Sequence, residues 1–187
     1  MTKRVLLLVP VLLLAACERQ YVPNPDPNHT HADFAVWTDG EKIGFDDPKY
    51  MSGVSWDDGS HDEVGEYHDQ HLHLHDEIGH VLHRHKPGLT LEAFFESLDY
   101  TFPLPIERWT MWVNGAQMEF DLQYVFKDMD QVLLTNSTGS AQVLYEVEQL
   151  TDDACRYSKT CPWKGEPPAE NCIADPEVPC VAPLEDL

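Results

Sequence analysis

The sequence predicts an α+β domain: several short strands, one principal helix, and an irregular tail rich in cysteine and proline. Two patterns carry that prediction. Strand-like runs are punctuated by Asp39-Gly40 and Asn114-Gly115, dipeptides that favour tight hairpin turns. One stretch has helical spacing, with Leu91, Phe94, Phe95 and Leu98 at i, i+3, i+4 and i+7.

Lys3 and Arg4 precede an apolar run from Val5 to Leu14, interrupted by Pro10. The run is too short to span a bilayer and reads as a secretory signal over residues 1–16. It closes on Leu14-Ala15-Ala16-Cys17, which resembles the bacterial lipobox. That resemblance implies cleavage before Cys17, lipidation of Cys17, and a membrane anchor on the periplasmic side of the envelope. The plainer alternative is an ordinary signal peptide cut after Ala16. Glu18 stands where an Asp commonly retains lipoproteins at the inner membrane, which favours the outer membrane in a Gram-negative cell. Residues 17–28 carry Pro23, Pro25 and Pro27 and read as an extended tether.

Residues 29–150 form the expected domain. Ala32 to Trp37 reads as a strand, Asp39-Gly40 as its turn and Glu41 to Phe45 as the return strand. Residues 46–66 read as a polar loop. His71 to Asp76 and His80 to His85 read as a second hairpin, turning near Glu77-Ile78-Gly79. A three-residue turn pairs Asp76 with His80. That register puts His71, His73, His75, His83 and His85 on one face and Leu72, Leu74 and Leu82 on the other. A two-residue turn would mix leucine and histidine on both faces. Thr90 is a good N-cap for the helix after it, and Glu92 suits its first turn. Trp109 to Val113 reads as a strand with Gln117 to Phe120 as its partner. Tyr124 to Thr135 holds a turn and a strand, and Gln142 to Gln149 adds a further strand. Residues 151–187 show no periodicity and read as a stapled or partly disordered appendage.

The order helix, Val113-Asn114-Gly115, then Lys127-Asp128-Met129-Asp130-Gln131-Val132 resembles the second half of β-grasp domains, the ubiquitin-like and sulfur-carrier class. The resemblance implies a β-grasp-like mixed sheet with one principal helix. Sulfur carriers act through a C-terminal Gly-Gly, whereas this chain ends Glu185-Asp186-Leu187, so that activity is not implied. The wider pattern is similar to a family of uncharacterised exported bacterial and archaeal proteins. The matching pieces are His29-x-His31-Ala32-Asp33-Phe34, Asp39-Gly40, Pro48-Lys49-Tyr50, the His-rich hairpin and Pro87-Gly88-Leu89-Thr90-Leu91. This likeness supports the fold and couples His29 and His31 to the hairpin; it implies no activity.

The chemistry rests on histidine. Eight of the ten histidines fall between His61 and His85. Imidazole is the commonest protein ligand for zinc, copper and nickel, and alternate strand residues share a face. A divalent transition metal is therefore the expected cofactor, with zinc favoured over copper. No Met-rich motif points to Cu⁺. The expected ligands are His73 and His83 with one or two of His71, His75 and His85. His29 and His31, with Asp33, either complete that site, form a second one, or lie at the exposed end of the tether. Asp57, Asp58, His61, Glu66 and His68, in the preceding loop, are candidates for a lid or a carboxylate ligand.

A formal charge of −21, or −23 once Lys3 and Arg4 are removed, argues against nucleic acid as a partner and against anionic lipid. Cys155, Cys161, Cys172 and Cys180 form an even set in an exported chain and imply disulfides. The sequential pairing, Cys155–Cys161 and Cys172–Cys180, is preferred among three possibilities. The absence of Cys-x2-Cys argues against a four-cysteine zinc site. A metal-dependent hydrolase is the lesser alternative. Asp76 or Glu77 is available as a base, but His-Glu-x-x-His and Gly-x-Ser-x-Gly are both missing. The other alternative is a non-catalytic adaptor with a pH-responsive histidine face, docking an envelope protein through Phe102-Pro103-Leu104-Pro105-Ile106.

Overall fold

A computed structural model describes residues 20–52, 69 and 71–167. The signal segment, Cys17, the loop carrying Asp57, Asp58, His61, Glu66 and His68, and Cys172 and Cys180 lie outside the described residues. Among the described residues the fold is α+β, with a mixed sheet and three α-helices. The strands are β1 (Thr30–Thr38), β2 (Glu41–Lys42), β3 (Leu72–His73), β4 (Val81–Arg84), β5 (Thr110–Val113), β6 (Ala116–Met118) and β7 (Gln131–Thr135). The helices are α1 (Leu91–Ser97), α2 (Ser140–Glu148) and α3 (Ala154–Tyr157).

The sheet order is β3-β4-β1-β7-β5-β6. β1 is the hub. One edge runs parallel to β7, from Asp33↔Gln131 to Trp37↔Thr135. Its other edge is shared: Thr30 to Asp33 pair with β4, and Trp37 and Thr38 with β2. That sharing explains why β2 has only two residues where a longer return strand, Glu41 to Phe45, is expected from sequence.

Both faces of β1 are buried, and its two-residue period divides them. Ala32, Phe34 and Val36 face the main apolar core, where Leu91, Phe94 and Phe95 of α1 pack. Ala35 and Trp37 point the other way, against Leu133 and Val143. The predicted helix forms as α1, with the Thr90 hydroxyl accepting from the Ala93 N–H. Asp39-Gly40 and Asn114-Gly115 both carry positive φ at the two central positions, the hallmark of the type I′ turn. Asn114 is further tied to the turn before β7. Its amide donates to Asp130 Oδ1 at 2.8 Å, and Tyr124 OH and the Lys127 N–H donate to Asp130 Oδ2 at 2.7 and 2.8 Å. Burial, then the hydrogen bond and charge of Asp130, push the Tyr124 phenol up to about 12.

The second hairpin has the predicted register, with Leu72↔Arg84 and His73↔His83. Its turn is built differently. Residues 74–80 form a wide connection with positive φ at Asp76 and Glu77, because Leu74 leaves the β4 ladder to bridge Met51. The stretch from Gln142 to Glu148 is helical and not a strand, and Gln149 caps the helix. Val143, Val147 and Leu150, at helical spacing, meet the sheet, while Leu144 and Tyr145 are exposed.

One expected disulfide is present near the end of the described chain, and both ends of that chain pack against the domain. Residues 151–167 pack on the sheet: α3 lies on β1, and Cys155 and Cys161 form a disulfide. The segment read as a tether runs along it. The Val22 N–H donates to Thr160 O at 2.8 Å, and Tyr21 meets Trp163 edge-on at 5.0 Å. The apolar loop divides, with Phe102 buried among Phe95, Tyr100, Trp109 and Phe120 and Leu104 84% exposed.

Gly79 fixes how the wide turn docks. A Cβ there would lie 2.3 Å from both the Asp46 nitrogen and the Phe45 carbonyl carbon, where backbone has little room to yield. Gly79→Ala is therefore expected to lower the urea midpoint by the equivalent of about 1–3 kcal/mol, with an unchanged slope. A wild-type midpoint would rule out this close approach.

Candidate metal centre

The histidines belong to the sheet face opposite the main core. On β3 and β4 the leucines take the core side: Leu72, Leu74 and Leu82 are all buried in it. The alternating positions therefore turn His73, His75, His83 and His85 to the other side. β1 continues the pattern, because His31 shares a face with Asp33, Ala35 and Trp37. Backbone pairing lines up His73↔His83 across β3 and β4, and His31↔His83 across β4 and β1. The result is one row of three imidazoles across three neighbouring strands.

A second row lies one step away. The His85 N–H donates to His71 O at 2.8 Å, and the His29 and His85 rings stack at 4.0 Å. Contacts join the rows. His29 lies 4.6 Å from His31, and His73 lies 4.9 Å from His85, between ring centroids. His31 and His83 meet edge-on at 4.6 Å, and His75 and His83 approach to 3.9 Å. His31, His73, His83 and His85 are buried, and His29, His71 and His75 partly so.

His29, His31 and His83 offer ligand atoms that all lie within 4.8 Å of one another, and this set could hold a metal ion. A tetrahedral ion with nitrogens at ~2.0–2.1 Å spaces them about 3.4 Å apart, so the three rings must draw closer together to share one ion. All donors are imidazole nitrogen, which fits zinc, copper or nickel. The set differs in emphasis from the sequence expectation. His83 belongs to both, but its partners in this set are His29, just before β1, and His31 on it, and not the hairpin's own His71, His73, His75 or His85. His80 is not part of the cluster; its Nε2 meets Asp153 Oδ2 at 3.2 Å.

The surroundings come from segments with no metal-binding signature. Tyr157 of α3 covers the row, with its ring 5.7 Å from His31 and 5.1 Å from His83. Ser158, next in sequence, lies 2.8 Å from His31 Nδ1 and donates to Asp128 Oδ1. Asp128 Oδ1 also accepts the His31 backbone N–H at 3.1 Å. On the hairpin side, His75 Nδ1 lies 2.8 Å from Asp76 Oδ2, His75 Nε2 lies 3.0 Å from His83 Nδ1, and His73 Nδ1 lies 3.1 Å from Asp69 O. Tyr157, Ser158 and Asp128 were not identifiable from spacing, because their roles depend on how distant segments pack.

Asp33 places this cover. Its carboxylate, 1% exposed, accepts from the Thr151 hydroxyl and from the backbone N–H of Asp153 and Ala154 at the start of α3. Burial, the largest influence, raises its pKa, and the Thr151, Ala154 and Asp153 hydrogen bonds pull the other way. Lys164 adds a clasp, donating to Asp152 and Asp153. Burial alone would raise Asp153, but its bonds to Lys164 and His80 hold it below its ordinary value.

In comparisons with protein-family models, curated proteins and solved structures, the chain finds no match. Among the described residues no helix is long and apolar enough to cross a membrane.

Asp33→Ala removes three hydrogen bonds from a buried carboxylate and leaves two backbone N–H groups at α3 without that acceptor. The expected result is a loss of about 1–3 kcal/mol in stability, with faster amide exchange concentrated in residues 151–160. Unchanged exchange there would mean that α3 is held by other contacts.

Proposed function

We propose that this chain is an envelope lipoprotein that binds one divalent transition metal ion on the histidine face of its sheet. Zinc is the favoured ion, and copper comes second. The carrying observation is the convergence of His29 and His31, at the start of β1, with His83 of β4, far apart in sequence, with donor atoms within 4.8 Å. His73 and His85 lie beside this set and complete the imidazole-rich surroundings. Burial of most of these rings, with Tyr157 over His31 and His83, favours retention over rapid turnover, which suits buffering, sensing or delivery better than hydrolysis. Export and lipidation rest on Lys3, Arg4, the apolar run and Leu14-Ala15-Ala16-Cys17.

The fold is read as a β-grasp variant. Supporting this are the parallel pairing of β1 with the last strand, the helix between β4 and β5, and the antiparallel pairing of β5 with β7. The hydrogen bond that joins Asn114 to Asp130 also links the two motifs that carry the resemblance.

The test is elemental analysis of the full-length, untagged protein, extracted in mild detergent. About one equivalent of zinc or copper is expected, and a His31→Ala/His83→Ala double variant is expected to lose it. Equal metal content in the two proteins would overturn the site. The anchor is checked separately by phase partitioning in a clouding detergent. Wild type is expected in the detergent-rich phase and Cys17→Ala in the aqueous phase; identical partitioning would remove the lipid anchor.

A further inference from the structure

We infer that His31 and His83 present Nε2 to the ion, and that Ser158 with Asp128, and His75 with Asp76, are the positioning residues that set this. The inference rests on the metal-centre reading and adds which atoms bind and which histidine does not. A carboxylate accepts only, so a Ser158 hydroxyl that donates to Asp128 has its lone pairs left for His31. His31 Nδ1, at 2.8 Å from that oxygen, must then carry the proton, and Nε2 carries the lone pair.

The same logic runs through one more ring on the hairpin side. Asp76 accepts, so His75 Nδ1 carries the proton in the neutral imidazole. His75 Nε2 is then an acceptor, and His83 Nδ1, 3.0 Å away, must donate to it. That leaves the His83 lone pair on Nε2. Both ligands are thus set in the same tautomer by a remote carboxylate acting through one intermediate group, a serine in one case and a histidine in the other. Metal-bound histidines are commonly oriented in this way through their second ring nitrogen. The consequence for His75 is specific: its Nε2 is committed to His83, so it serves as a hydrogen-bond acceptor and not as a ligand.

Two measurements test this on the full chain. Ring ¹H–¹⁵N correlation spectra of the metal-free, ¹⁵N-labelled protein report the tautomers directly. Nδ1–H forms are expected for His31 and His83; an Nε2–H form of either ring, or a doubly protonated His75, overturns the assignment. Titration with Zn²⁺ alone then reads the positioning role. Ser158→Ala and His75→Ala are each expected to weaken binding about 10–100-fold. Ser158→Thr, which keeps the hydroxyl, and His75→Gln, which keeps an acceptor but is a poor ligand, are expected to stay within a few-fold of wild type. Gln as damaging as Ala at position 75 would make His75 a ligand and overturn its placement here. Unchanged affinity in both alanine variants overturns the positioning roles while leaving the metal site intact. A parent protein that takes up neither zinc nor copper overturns the site and this inference together.

Discussion

The two-residue period of β1, applied to a strand buried on both faces, governs how the rest of this protein is arranged. An exposed sheet face tolerates polar side chains at every second position. A covered face must either fill them with apolar groups or satisfy them. β1 does both on the same side: Ala35 and Trp37 join a small apolar cluster, while His31 and Asp33 are polar and almost fully buried. Buried polar groups require partners. Asp33 meets that requirement by fastening the start of α3, and α3 in turn brings Tyr157 and Ser158 over the histidines. The cover and the site are therefore consequences of one alternation.

Much of this was legible in the sequence where the deciding interactions are local or periodic. The His-Leu alternation from His71 to His75 favoured the observed hairpin register, because a one-residue slip would have mixed leucines with histidines on both faces. The Leu91, Phe94, Phe95, Leu98 stripe and the Thr90 cap were enough to place α1. Asn114-Gly115 and Asp39-Gly40 announced their turns. The Cys155–Cys161 pairing agrees with the sequential order read from spacing.

The features that were not legible depend on distant partners. Val143, Tyr145 and Val147 alternate as a strand would, yet the same stretch offers Val143, Val147 and Leu150 at helical spacing. Only the presence of a sheet face ready to receive the second pattern decides between them. α3 has four residues and no periodicity; its start is held by a carboxylate from the first strand, which no local reading supplies. His29 and His31 could be linked to the hairpin by resemblance but not located. Their approach to His83 required β4 to occupy the N-terminal half of the β1 edge, which shortens β2. Ser158 carried no signal at all, and Asp128 was legible only as part of the motif leading into the last strand, not as a partner of His31.

The parallel pairing of β1 with β7 also has a consequence for how the chain acquires its structure. β1 is the first strand of the domain and β7 the last, so neither can complete its central ladder until nearly the whole domain has been synthesised. Non-local strand pairing of this kind bears a high loop-closure cost and slows folding. In the interval the nascent chain exposes a long β-prone segment, Phe34-Ala35-Val36-Trp37, with both edges open. Such a segment is an invitation to intermolecular pairing, which gives a chain of this topology a physical reason to depend on holding chaperones before its last strand arrives.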